Sequence, residues 1–61
     1  MNKQGRFRVY RDRKGEWRWR LIARNGRIVA DSGEGYDRRN KAMHAAFTTA
    51  RIAHGAYVDV R

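Results

Sequence analysis

Arg8, Tyr10, Arg18, Arg20, Arg24 and Arg27 set five cations around one phenol within twenty residues, at spacings that extended backbone gathers onto one surface. Successive side chains on a strand point to opposite faces. In the run Glu16-Trp-Arg-Trp-Arg-Leu-Ile-Ala23, therefore, Trp17, Trp19, Leu21 and Ala23 line one side, and Arg18, Arg20, Ile22 and Arg24 the other. Guanidinium groups so spaced meet successive phosphates or hydrogen-bond guanine edges, and a tyrosine stacks on an exposed base. The chemistry expected is non-catalytic binding of nucleic acid through its phosphates. Two competing readings use the same arginines. One leaves them on a solvated sheet face; the other docks them on an acidic protein, as in a small accessory or host-directed factor from a phage or mobile element.

Charge and composition favour a binding role over catalysis. The chain of 61 residues carries a net charge of +9, and residues 1–27 hold ten Lys or Arg against Asp12 and Glu16, whereas residues 28–61 hold five against four carboxylates. Of the fifteen basic residues twelve are arginine, whose planar fork suits phosphate and carboxylate. Residues for a convergent catalytic site are scarce. Ser32 is the only serine and falls where a strand should end; His44 and His54, ten apart on a helix, stand about 80° and roughly 15 Å from each other and cannot share a metal within one subunit. Gly33-Glu34-Gly35 lacks the pattern of a phosphate-cradling loop. No catalytic residue, metal, cofactor or small-molecule substrate is expected.

A chain this short forms one domain, residues 1–61, whose core rarely supplies more than roughly 3 to 5 kcal/mol without a staple. Without cysteine neither a disulfide nor a thiolate zinc site is open to it, so oligomerisation is the staple that remains. The absence of cysteine, of a signal-like apolar region and of any apolar run near 20 residues fits a cytoplasmic protein that does not enter a membrane.

The elements that must position the arginines follow from periodicity and turn chemistry. Met1 to Gln4 is a polar lead expected to fray. Arg6 to Arg11 alternates and makes strand one, and Asp12-Arg-Lys-Gly15 suits a type I turn with glycine closing the hairpin. Placing Asp12 opposite Glu16 aligns Arg11 with Trp17, Val9 with Trp19 and Phe7 with Leu21, all large apolar groups on one side; the register with Arg11 opposite Glu16 mixes them with arginines and is rejected. Asn25-Gly26 signals a two-residue type I′ turn, which would pair Arg24 with Arg27, Ala23 with Ile28, Leu21 with Ala30 and Arg20 with Asp31. Gly33-Glu34-Gly35 ends strand three. A helix over Arg38 to His54 follows, with Asp37 as N-cap, Gly55 as its C-terminal stop and His54 favoured there by the dipole. Its stripe of Ala42, Met43, Ala46, Phe47, Ala50 and Ala53 makes it the lid over the tryptophan side. Ile52 lies beside the stripe, as a subunit contact or as an isolated exposed residue. Ala56 to Val60 alternates and reads as a fourth strand. The fold expected is α+β, in the order β-β-β-α-β, an antiparallel sheet with one helix on one face.

Phe7-Arg-Val-Tyr10, Asp12-Arg-Lys-Gly-Glu-Trp-Arg-Trp-Arg-Leu21, Asn25-Gly26 and Ser32-Gly-Glu-Gly-Tyr36 together resemble the YegP-like family of small uncharacterised bacterial and archaeal proteins. The resemblance implies a three-strand, helix, strand unit, present as a tandem repeat or as two subunits that share a sheet and exchange C-terminal strands. For this chain it implies a homodimer in which the Tyr57 to Val60 segment crosses to the partner, with Tyr57, Val58 and Val60 at the contact, where Ile52 joins them if it too is a subunit contact. It carries no activity, and the arginine excess and basic helix start depart from the family pattern. A looser likeness of arrangement links the three strands and helix to the DNA-binding domain of plant ethylene-response factors and the arm-binding domain of phage integrases. In those the face opposite the helix enters the major groove, and here that face would present Arg8, Tyr10, Arg18, Arg20, Arg24 and Arg27.

Overall fold

A computed structural model describes residues 4–61; of the lead expected to fray, Met1 to Lys3 lie outside the described residues. Gln4 is held, its carbonyl accepting the Arg24 backbone N–H at 2.8 Å. Strand β1 (Gly5–Arg11), β2 (Trp17–Ala23) and β3 (Ile28–Asp31) form an antiparallel sheet in the order β1-β2-β3, and helix α1 (Arg39–Gly55) follows. The fold is α+β.

The β1–β2 hairpin has the register that its alternation demands, with Phe7 facing Leu21, Val9 facing Trp19 and Arg11 facing Trp17. Its turn closes through the Gly15 N–H to the Asp12 carbonyl at 3.0 Å and the Asp12 N–H to the Glu16 carbonyl at 2.8 Å, with Gly15 at φ 86°. The Asp12 carboxylate accepts the backbone N–H groups of Lys14 and Glu16, both at 2.9 Å, so one side chain fixes the whole turn.

The β2–β3 hairpin departs from expectation at its tip. Asn25 does not take the positive φ that a type I′ turn requires; only Gly26 does, at 92°. The loop is a three-residue one, Arg24 to Gly26, closed by the Gly26 N–H to the Ala23 carbonyl and the Ala23 N–H to the Arg27 carbonyl. It thus repeats the geometry of the first hairpin, and Asn25 Oδ1 instead accepts the Arg27 N–H at 3.1 Å. The extra loop residue moves Ile28 opposite Ile22 and not Ala23, and a bulge between Leu21 and Ile22 absorbs the slip. Beyond it the expected pairs, Leu21 with Ala30 and Arg20 with Asp31, hold.

After β3 the chain loops through Gly33 at φ 74° and returns to β2, where Tyr36 and Trp17 exchange two backbone hydrogen bonds of 2.7 Å. Asp37 does not cap the helix. The N-cap is Arg38 in extended conformation with no side-chain cap bond, and Asp37 pairs with Lys41 one turn on, at 3.1 Å. Gly55 is the last helical residue, outside the left-handed conformation of a glycine stop.

The core lies between α1 and the β1–β2 ribbon. Trp19 is 6% exposed, with its ring edge-on to Phe7 at 5.2 Å, and Ala42 and Ala46 are buried above the ribbon because small side chains let the helix approach. Phe47 does not join them. It is 72% exposed and lines an open groove of about 490 Å³ with Phe7, Val9, Met43 and Ala50, beyond the β1 edge. Ala53 is exposed as well, since the last helical turn stands clear of the sheet. Ala56 to Val60, expected as a fourth strand, pairs with no strand among the described residues; it leaves the helix extended, with Tyr57, Val58 and Val60 displayed.

Candidate nucleic-acid interface

The face of the sheet away from α1 carries the arginines. Directly paired residues share a face, so Arg8 with Arg20, Tyr10 with Arg18, and Asp31 beside Arg20 occupy one surface. Arg6 belongs there too, opposite Ile22, and strand alternation from Arg8 was the signal that could have added it to the sequence-based set. Arg24 and Arg27 flank the β2–β3 tip. The three-residue loop pairs Arg27 with Ala23, so Arg27, expected on the arginine face, turns to the tryptophan side, while Arg24, hydrogen-bonded to the start of β1, stays with Arg6. Ile22 sits at the centre of the face, buried between Arg6 and Ile28, while Ile28 and Val29 on the outer strand remain exposed.

These groups are not equivalent. Arg18 Nε donates to Asp12 Oδ2 at 2.7 Å, so this cation is tied to the carboxylate that organises the first turn. Arg20 lays its guanidinium over the Tyr10 ring, 4.2 Å from the centroid, a cation–π contact that covers the one aromatic face on this side. Asp31, although opposite Arg20, turns its Oδ1 to the Gly33 N–H at 3.0 Å. Arg6, Arg8, Arg24 and Arg27 are exposed.

The Asp12 carboxyl is held below its ordinary value of 3.8 by the hydrogen bond from Arg18, then by those from the Glu16 and Lys14 backbone. The same bond raises the Arg18 guanidinium, which stays charged throughout. A carboxyl whose folded value lies below its unfolded one contributes stability that is complete above the unfolded value and is lost as pH falls through the folded one. Acid melts should therefore show Tm falling below about pH 5, and Asp12→Asn should flatten that limb. Some slope should persist, because Lys41 lowers Asp37 in the same sense. A D12N acid limb that overlays the parent curve would remove this role for the turn.

No group of three or more His, Cys, Asp or Glu converges among the described residues, and no helix there is long and apolar enough to cross a membrane. Ser32 is a loop residue, its Oγ donating to the Glu34 carbonyl at 2.8 Å.

A three-stranded antiparallel meander, one helix over its aromatic face and an arginine-bearing face left open define a small α+β protein with a basic sheet surface. The chain belongs to the YegP-like family, whose domain, described as domain of unknown function DUF1508, matches residues 12–56. A UPF0339 protein of Neisseria meningitidis serogroup B is 51% identical over 39 residues, which span 64% of this chain and 68% of that protein. A UPF0339 protein of Agrobacterium fabrum is 39% identical over 51 residues, 84% and 81% of the two chains. The solution structure of a protein from Haloferax volcanii superposes with a TM-score of 0.82 at 43% identity over 100% of both chains. Membership accounts for the fold and brings no ligand with it.

Proposed function

We propose that the chain is a small non-catalytic module that binds nucleic acid through phosphates, using the arginine-bearing sheet face, and that it works as a homodimer. The observation that carries the binding reading is the division of the ribbon. Trp19 and Phe7 are packed beneath the helix, while Arg6, Arg8 and Arg24 stand exposed on the side with no helix over it. Affinity should fall with salt, with a log–log slope of about 0.9 for each duplex phosphate neutralised.

Support for the dimer comes from two unmatched surfaces on one chain. Among the described residues the β1 edge is unpaired and is roofed by Met43, Phe47 and Ala50, and the extended tail offers alternating Tyr57, Val58, Asp59 and Val60. A tail from a second copy laid along β1 would place Val58 and Val60 under Phe47 and give the edge its hydrogen bonds.

Exposed Ile28 and Val29 beside Arg27 favour a second reading, in which the basic face docks an acidic protein. Pull-down of the tagged chain from lysate with and without nuclease decides between them. A catch of nucleic acid, lost on digestion, supports the first; a defined protein retained after digestion overturns it in favour of the second.

A further inference from the structure

The open face has two ends with unlike electrostatics. Around the first turn and the loop after β3, the carboxylates Asp12, Glu16, Asp31 and Glu34 stand among the cations, and Arg18 is held in an ion pair. The opposite end is different. Gly5 pairs with Ala23 and the Gln4 carbonyl binds the Arg24 N–H, so the start of β1 lies beside the β2–β3 tip and brings Arg6 next to Arg24, while Arg27, paired with Ala23, lies on the other side of the tip. Arg8 follows one step along β1. Among the described residues of the sheet and its loops, no carboxylate belongs to this end.

Aromatic placement separates the ends as well. Tyr10 is toward the mixed-charge end with Arg20 across its ring, and Phe7 and Trp19 pack on the helix side. Binding of single strands depends on bases stacking on aromatic faces, which the arginine-only end does not offer. Duplex phosphates need only cations at suitable intervals. Residues two apart on a strand are about 6.7 Å apart, so guanidinium groups on long flexible stems can each reach a different phosphate of a regularly charged duplex backbone.

We infer that the binding site is the β2–β3 hairpin end of the open face, and that its ligand is a nucleic-acid duplex held through phosphates by Arg6, Arg8 and Arg24, without base stacking. This rests on the nucleic-acid reading and narrows it. Arg18, Arg20 and Tyr10 become groups that shape the sheet face and make no contact with the ligand.

Fluorescence anisotropy on a DNA duplex of about 20 base pairs and on one of its strands, across a salt series, tests it. The duplex should bind more tightly than the single strand at equal salt. Arg6→Gln with Arg24→Gln, and separately Arg6→Gln with Arg8→Gln, should each lower the duplex salt slope by about 1.8 and weaken binding roughly tenfold. Arg13→Gln with Lys14→Gln removes the same charge from the other turn and should leave the slope unchanged. All these side chains are exposed, and circular dichroism melts establish that each variant is folded. Equal losses in the three double variants would show that only total charge matters and overturn the assignment. Single strand bound as tightly as duplex, with loss on Tyr10→Leu, would overturn it in favour of stacking. No binding to either probe at about 50 mM salt removes the nucleic-acid reading itself, and the inference with it.

Discussion

Trp19→Ala should leave a chain that is largely unfolded at 25 °C, visible as loss of near-ultraviolet dichroism and of a cooperative melt. Trp19 is the largest side chain in the buried set, which otherwise holds Ile22 and two alanines of the helix. Truncating a buried aromatic to alanine costs about 3 to 5 kcal/mol, and a core of this size rarely supplies more than about 3 to 5 kcal/mol in all. The helix has little else to hold it, because Ala42 and Ala46 offer small surfaces and Phe47 points past the sheet. Trp19→Phe should behave differently. It keeps an aromatic ring against Phe7 and removes the indole N–H, which is buried without a hydrogen-bond partner among the described residues. It should melt cooperatively at a lower temperature than the parent. If Trp19→Ala melts within a few degrees of the parent at equal protein concentration, the core does not lie where the ribbon and helix place it.

How far such a core was legible depends on what each signal encodes. The β1–β2 register could be read because two constraints agree: alternation puts Phe7, Val9, Trp19 and Leu21 on one side, and Asp12 with Gly15 fixes the turn that delivers it. The tip of the second hairpin is not legible from its residues, because Asn-Gly is compatible with two loop lengths and the choice between them lies in whether Asn25 itself adopts positive φ. The bulge restored the expected pairs beyond it, so Arg20 still meets Asp31, but Arg27, between the tip and the bulge, changed face. Asp37 has the right type for a cap, yet an ion pair with Lys41 one turn on draws it away. Phe47 sits at core spacing on the helix, but a period says which face a residue shares and not how wide the sheet beneath it is. In the candidate site, composition revealed the arginine surface; the withdrawal of Arg18 by Asp12 and the capping of Tyr10 by Arg20 depend on side-chain geometry that spacing does not carry.

Removing Ala56 to Arg61 should convert a dimer, of twice the 7.2 kDa chain mass, into a monomer on size-exclusion chromatography with light scattering. The tail displays three large apolar side chains, with Tyr57 87% exposed, while Phe47 and the unpaired β1 edge await cover. Each surface is costly alone: exposed edges template association, and a displayed apolar patch favours burial. Seating Val58 and Val60 under Phe47 contributes apolar burial of about 1.5 to 3 kcal/mol per side chain before the cost of ordering the tail. A net loss of about 2 kcal/mol on deletion would lower the melting temperature of a domain this size by roughly 10 °C. Because that stability comes from association, the parent's melting temperature should rise with protein concentration and the deletion variant's should not. Ile52 adds a check, since its side chain is exposed one turn from the tail; Ile52→Glu should weaken the dimer if the helix end joins the contact. A full-length chain that runs as a monomer yet loses stability on deletion would mean that the tail covers its own groove. A full-length monomer indifferent to deletion would leave Phe47 exposed in solution and remove the dimer altogether.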